Sequence, residues 1–402
     1  MSSSSQVAWR RVGVMGLGRS GRAAAGFLAR RGVAVIAADA KPREALSPGL
    51  DELEREGVDL RLGPETTETA SVFRDCEAVI ASPGVSCAAA PLREAVRRGI
   101  PVLAEVELAA RFLRGVIIGI TGSNGKSTVT MLAGRMLREG GIMARVCGNI
   151  GTPMTRVAEE DLDLPEKRAS GVHYVVELSS FQLEGIRRLR PHVAVLLNLS
   201  PDHQDRYRAA SDYFAAKARI FMNQTPEDYA VVNWDDPAAQ DSARGRSSRL
   251  MPFSLTREFE RGAFLRGDEL VLRHARGEEV IARASGVPLR GRHNLENVLA
   301  AAAAAACCGA AAGAMAAAVS GFAGLPHRLE FVREAEGVSY YNDSKATNVG
   351  AVMRALEAFT EPLVLLLGGR DKGGNFETLR AEMGRPGRLR ALVTFGEAGP
   401  GI

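Results

Sequence analysis

A chain of 402 residues, 46% of them hydrophobic, is too long for one ordinary core and implies two or three domains of α/β size. The net charge of +4 comes from 51 basic and 47 acidic residues spread along the chain, which speaks against nucleic acid as a partner and favours small acidic ones. Five cysteines without a C-x-x-C pair speak against a disulfide framework or a structural zinc site, and no window has the character of a signal peptide or membrane span, so a reducing cytoplasm is expected.

From Arg11 to about Arg114 apolar strands alternate with helical stretches: "RVGVMGLG", "GRAAAGFLARRG", "VAVIAAD", "CEAVIASPG", "PLREAVRRG", "PVLAE". That alternation predicts a parallel, doubly wound sheet over 1–114. Its first turn sets Gly16, Gly18 and Gly21 on the G-x-G-x-x-G spacing of a pyrophosphate-binding turn.

A second unit, 115–324, opens at "VIIGITGSNGKSTVT" and continues through "HYVVELSS", "VAVLLNLS" and "DYAVVNWDD". Gly122, Ser123, Asn124, Gly125, Lys126, Ser127 and Thr128 lie between a strand and a helical stretch, the context in which backbone N–H groups and a lysine hold phosphates. Strict Walker spacing would put glycine at Ile120, so this is a shortened variant of the loop. The alanine-rich run from Ala300 to Val319 reads as a buried helix that closes the unit.

A third unit, 325–402, begins near Leu325 with "SYYNDS", "PLVLLLGG" and "RALVTFG". The chain stops at Ile402 with no helix to cover its last strand, although a parallel sheet needs both faces buried, so this domain is expected to be incomplete. The fold expected is therefore α/β in three domains: N-terminal Rossmann-like, central with a P-loop ATPase-like parallel sheet, and C-terminal Rossmann-like.

Only six of the basic residues are lysines, so the lysines are candidates for chemistry that arginine cannot perform. Lys41 and Lys167 read as chance placements. Lys126 lies in the phosphate loop, Lys217 on a helix among apolar residues, Lys345 in "YYNDSKATN" and Lys372 in "LLLGGRDKGGNF". For Lys217 a simple salt bridge is the plain alternative. Glu177 and His203 follow predicted strands, where α/β sheets bind ligands. His203 fits either a surface loop or, beside a phosphate loop with its Mg²⁺, a metal site. Asn294 and Asn297 start the alanine-rich helix, where asparagine also serves as a cap.

Taken together, "TGSNGKST", "ELSSFQLE", "DHQDRY", "GRHNLEN", "LPHRLE" and "NDSKATN" resemble the Mur ligases, ATP-dependent enzymes that add amino acids to a UDP-linked cell-wall precursor. The run "NDSKATN" resembles the members that add D-glutamate. The resemblance spans about Val12 to Gly396, and departs from the family where the chain stops, before a segment that helps bind D-glutamate.

The resemblance implies that the second loop holds ATP, while the first turn, through Gly18, Arg19 and Ser20, receives the diphosphate of UDP-N-acetylmuramoyl-L-alanine. Asp39, Ser82 and Asn149 would complete that substrate site. Lys126 would contact the β and γ phosphates; Ser127 and Glu177 would serve one Mg²⁺ and His203 a second. Lys217 matches the family's carbamylated lysine. Asn294, Arg328 and Asp343 would hold the nucleotide, with Lys345, Thr347 and Lys372 toward the D-glutamate. A monomer is expected, with neither nucleic acid nor membrane as partner. Three competing readings are an NAD-dependent oxidoreductase, which leaves "GSNGKST" without a role, a nucleotide-binding protein without ligase activity, and a ligase for another amino acid.

Overall fold

The computed structural model describes residues 8–86, 88–203, 206–274, 277–370, 376–385 and 387–402. Two compact units emerge, and their boundary does not follow the chain order. The first runs to Thr121 and includes Met143–His192 and Arg219–Glu227; the second comprises Gly122–Ile142, Val193–Ala218 and Asp228–Ile402.

In the first unit, strands β1 (Arg11–Met15), β2 (Ala34–Asp39), β3 (Asp59–Leu62), β4 (Ala78–Ala81) and β5 (Val102–Ala104) form a sheet in the order β3-β2-β1-β4-β5. Every pairing is parallel. Val12, Val14 and Met15 on β1 are buried, as a central strand covered on both faces requires. The helix Arg19–Ala29 follows β1 directly. A Cβ on Gly21 would come 1.8 Å from the Gly16 carbonyl oxygen, so only glycine lets this helix sit so close to the turn.

Strands β6 (Val116–Thr121), β7 (Ala144–Gly148) and β8 (His173–Glu177) belong to the same unit, with β8 parallel to both others. Polar contacts join them to the residues before Arg114. Glu107 accepts from the amides of Arg187, Arg188 and Leu189. Arg30 pairs with Glu159 at 2.7 Å.

In the second unit, β9 (Val193–Leu196), β10 (Tyr229–Asn233), β11 (Arg249–Ser254), β12 (Gly262–Arg266), β13 (Glu269–His274) and β14 (Gly277–Arg283) follow one another in order. The pairings from β9 to β12 are parallel, whereas β12 to β14 are antiparallel. This antiparallel extension is an element that the sequence reading lacked. The alanine-rich run is two helices, Arg292–Cys307 and Ala312–Ser320, broken where Gly309 turns left-handed at φ 85. Ala300 to Ala305 are fully buried, and their small side chains let the first helix pack closely against the helix Lys126–Glu139. Among the described residues no helix is long and apolar enough to cross a membrane.

Beyond Leu325 the second unit carries a hairpin of β15 (Glu330–Ala335) and β16 (Val338–Asn342), then the parallel pair β17 (Leu363–Gly368) and β18 (Leu389–Phe395). Leu363, Leu365 and Leu367 of β17 pack toward Val352, Leu356 and Leu379. Val364 and Leu366 point the other way and are exposed, Leu366 at 66%, the alternation that a strand covered on one face produces.

Candidate functional site

Each unit carries its own cleft at a glycine-rich turn. In the first, a cavity of about 900 Å³ opens beside the turn after β1, within the size range of small-molecule sites. Gly18, Arg19, Ser20, Asp39, Ser82 and Asn149 all line it, so the structure brings together the six residues of this group that fall in the unit. Gly18 precedes the helix Arg19–Ala29 without any side-chain cap, which leaves the helix N-terminus for an anion.

Asp39 shapes the turn. Its two oxygens accept the amides of Leu17 at 2.6 Å and Lys41 at 2.9 Å. Ser82 donates to the Gly16 carbonyl at 2.7 Å, and Arg19 reaches the Gly151 carbonyl at 3.1 Å. Lys41, to which the sequence reading gave no role, also lines the cavity, as does Arg93. Asn149 donates from Nδ2 to Glu177 Oε1 at 2.6 Å. The other Glu177 oxygen is buried with no hydrogen-bond partner among the described residues, an uncompensated acceptor that a cation would satisfy.

In the second unit the phosphate loop enters the helix Lys126–Glu139 through Gly125, at φ 86. A Cβ there would stand 2.3 Å from Asn297 Oδ1, so both the backbone and the neighbour demand glycine. The loop is pinned from the segment after β9. Ser123 N donates to the Asn198 carbonyl, Asn124 N to Asn198 Oδ1, and Ser123 Oγ to the Ser200 carbonyl, at 2.8, 2.8 and 2.9 Å. Lys126 Nζ folds back onto the carbonyls of Gly122 and Ser123. Lys217, buried at 1% exposure, donates to the same Gly122 carbonyl.

Asn124, Gly125, Thr128, Asn294, Arg328 and Asp343 line a second, narrow cleft of about 70 Å³. Asn294 is no cap, since Gly291 holds that position; it donates to the Arg290 carbonyl and accepts from Asn297. Arg328 donates to Ser127 Oγ at 3.2 Å. It is presented by a turn whose flanking residues, His327 at φ 65 and Leu329 at φ 42, are both left-handed, strain that persists only where neighbours enforce it. They do so here: Glu330 accepts the His327 amide at 2.7 Å and Asp343 the Leu329 amide at 3.1 Å. Burial pushes the Asp343 carboxyl up, opposed by that amide and by Arg328.

His203 is left-handed at φ 53, with its amide on Asp202 Oδ1 at 2.8 Å. Among the described residues no group of three His, Cys, Asp or Glu side chains clusters as a metal cage. The donors the candidate residues offer are carboxylate, hydroxyl and imidazole, suited to Mg²⁺ filled out by phosphate and water. Lys345 and Thr347 are exposed on the loop after Asp343 and do not line the narrow cleft. Lys372 lies outside the described residues. Sequence reasoning passed over Asn198, Ser200 and Asn348; for the first two the available signal was their place just after a buried strand, "VAVLLNLS".

Comparison with known proteins matches residues 120–305 to the Mur ligase middle domain and residues 10–104 to the MurD-like N-terminal domain of Mur ligases. The chain is 44% identical to the UDP-N-acetylmuramoylalanine--D-glutamate ligase of Acidobacterium capsulatum, over 97% of this chain and 82% of that one. It is also 44% identical to the ligase of the same name from Solibacter usitatus, over 94% of this chain and 81% of that one. Among solved structures, MurF from Acinetobacter baumannii shares the fold with a TM-score of 0.58 at 18% identity, covering 92% of this chain and 78% of that one.

Proposed function

The chain belongs to the Mur ligase family, and we infer that its two clefts serve one reaction, the ATP-dependent joining of D-glutamate to UDP-N-acetylmuramoyl-L-alanine in peptidoglycan precursor synthesis. The observation that carries this is the pair of phosphate-binding turns, each at a helix N-terminus and each with its own cavity. Two phosphorylated substrates need two such places.

A carboxylate is a poor electrophile, so the L-alanine carboxylate first attacks the γ-phosphate of ATP, giving an acyl phosphate and ADP. The amine of D-glutamate then attacks the acyl carbon. The tetrahedral intermediate collapses with loss of phosphate, the amine proton goes to solvent, and the amide remains. The protein's task is alignment and charge neutralisation.

On this reading Gly18, Arg19, Ser20, Asp39, Ser82 and Asn149 hold the UDP precursor. Gly122 to Thr128 cradle the nucleotide phosphates with Lys126 on the terminal ones, and Asn294, Arg328 and Asp343 hold the rest of ATP. Mg²⁺, when bound, would neutralise phosphate charge; Ser127, His203 and Lys217 are candidate ligands at the phosphate loop, and Glu177 is a candidate ligand within the first unit. Carbamylation of Lys217 would turn a cation into an anion suited to that metal. Lys345, Thr347 and Lys372 would supply the positive and polar groups that receive the two carboxylates of glutamate. The reading also takes the enzyme as a cytoplasmic monomer in three functional domains, 1–114, 115–324 and 325–402.

The test is phosphate release from ATP and Mg²⁺ with UDP-N-acetylmuramoyl-L-alanine, without and with D-glutamate. D-glutamate-dependent release, with an amide product of the right mass, is expected. Release that responds instead to another amino acid would overturn the substrate assignment, and ATP binding without any release would overturn the ligase reading for this chain.

A further inference from the structure

Asn348 ends the run "NDSKATN" and uses both ends of its side chain. Its Oδ1 accepts the Ala351 amide at 2.8 Å, capping the helix Val349–Glu357. Its Nδ2 donates to Asp202 Oδ2 at 2.9 Å and lies 3.5 Å from Asn124 Oδ1 in the phosphate loop. A cap needs only an acceptor oxygen, which serine or aspartate supplies equally well. Asparagine adds a donor, and here that donor meets a carboxylate in a charge-assisted bond.

The partners of that donor are themselves committed. Asp202 spends its other oxygen on the amide of His203, whose left-handed backbone depends on such support. Asn124 is held on two sides by Asn198, whose Oδ1 takes the Asn124 amide and whose Nδ2 donates to the Asn124 carbonyl at 3.0 Å. Gly350, the second residue of that helix, places its Cβ position 3.6 Å from Asn124 Nδ2 and from Ser200 Oγ. The start of this helix therefore rests on the phosphate loop itself.

We propose that Asn348 is a positioning residue that ties the loop carrying Lys345 and Thr347 to the phosphate loop and to the Asp202–His203 pair. The other end of that loop is fixed at Asp343 by the Leu329 amide, and the Lys345 amide is bound to the His327 carbonyl at 3.1 Å. With both ends anchored, the place at which Lys345 and Thr347 meet an incoming amino acid is set by Asn348. The kinetic consequence rests on the proposed ligase function; the physical coupling does not.

Two variants separate the cap from the bridge. N348S keeps an oxygen for the Ala351 amide and loses the donor to Asp202, whereas N348A loses both. N348S loses the bridge alone and N348A the bridge and the cap, so N348A is expected to melt about 2–4 °C below N348S. Amide hydrogen exchange at Ser123 to Lys126 is expected to quicken at least about threefold in N348S. In the ligase assay the KM for D-glutamate rises about tenfold while the KM for the UDP precursor stays put. Unchanged exchange at the phosphate loop in N348S overturns the inference whatever the kinetics. An unchanged D-glutamate KM, in a parent enzyme that forms the amide, overturns the positioning role. A parent that forms no amide defeats the ligase reading alone, and the exchange measurement still decides the coupling.

Discussion

Lys126 Nζ and Lys217 Nζ donate to one and the same atom, the carbonyl oxygen of Gly122, each at 2.8 Å. Two ammonium groups sharing an acceptor repel each other, by about 1–4 kcal/mol at such range in water or near a protein surface. An anion between them, or conversion of one to an anion, relieves that repulsion. Lys217 is the one shut from solvent, with its Nζ 4.6 Å from the Tyr213 ring. Turnover is therefore expected to fall when dissolved CO₂ is stripped and to recover with added bicarbonate. K217A is expected to lose at least about 100-fold in turnover and to ignore bicarbonate. A parent enzyme indifferent to CO₂ would remove carbamylation from the account while leaving the lysine's place in the loop.

Gly125 is the narrowest constraint in the phosphate loop. Its φ of 86 and the 2.3 Å approach of Asn297 Oδ1 to a Cβ position together predict that G125A displaces the loop, the Asn297 side chain, or both. ATP affinity, followed by isothermal titration, is expected to drop at least about tenfold, while the larger cavity in the first unit keeps its lining. Adding N297S to G125A removes the clash and leaves the backbone strain, so partial recovery is expected. Equal ATP binding by G125A and the parent would show that the loop adjusts without cost.

Much of this was legible from local pattern. The glycine spacing at 16, 18 and 21 and the run Gly122 to Thr128 give their turns because each depends on residues adjacent in sequence. The six residues that line the larger cavity were named through the family resemblance, and the fold explains why they meet, since they lie at or just after strands whose ends converge in a parallel sheet. What was missed depends on distant pairing. Nothing in "RGAFLRGDELVLRHARGEEV" says that β12 to β14 reverse direction to extend a parallel sheet, because alternation serves both senses. Lys41 looked generic because its place beside the cavity comes from the packing of β2, and Asn348 was passed over because its second bond reaches back to Asp202.

Glu107 is fully buried, and its carboxylate gathers the amides of Arg187, Arg188 and Leu189 at 2.8 to 3.1 Å. Removing the oxygens takes the acceptor from the buried Leu189 amide and from the part-buried amides of Arg187 and Arg188, and the ion partner from Arg111 at 3.3 Å. E107A is expected to lose about 3 kcal/mol of stability, since each orphaned amide costs ~1–3 kcal/mol and water recovers part of the sum. E107Q keeps one acceptor oxygen and should fall between the two. Urea unfolding with a shared slope checks this; an E107A midpoint equal to the parent's would mean that the turn re-forms its bonds elsewhere.

His293, beside the narrow cleft, is held down to about 4, chiefly by burial and further by Arg354. The sign of its effect follows from which state takes the proton. Between the ordinary value of 6.5 and about 4, the unfolded chain binds a proton that the folded chain refuses. The stability is thus fully present above the upper value and is lost as pH falls through this window, to a total of roughly 3 kcal/mol. Glu296, one turn along, acts in the opposite sense because burial raises its carboxyl, so the comparison must hold it constant. Urea unfolding at pH 7.5 and 5 should show the parent losing about 2 kcal/mol more between the two conditions than H293Q does. Equal losses would mean that water reaches the imidazole and that its proton is taken up in both states.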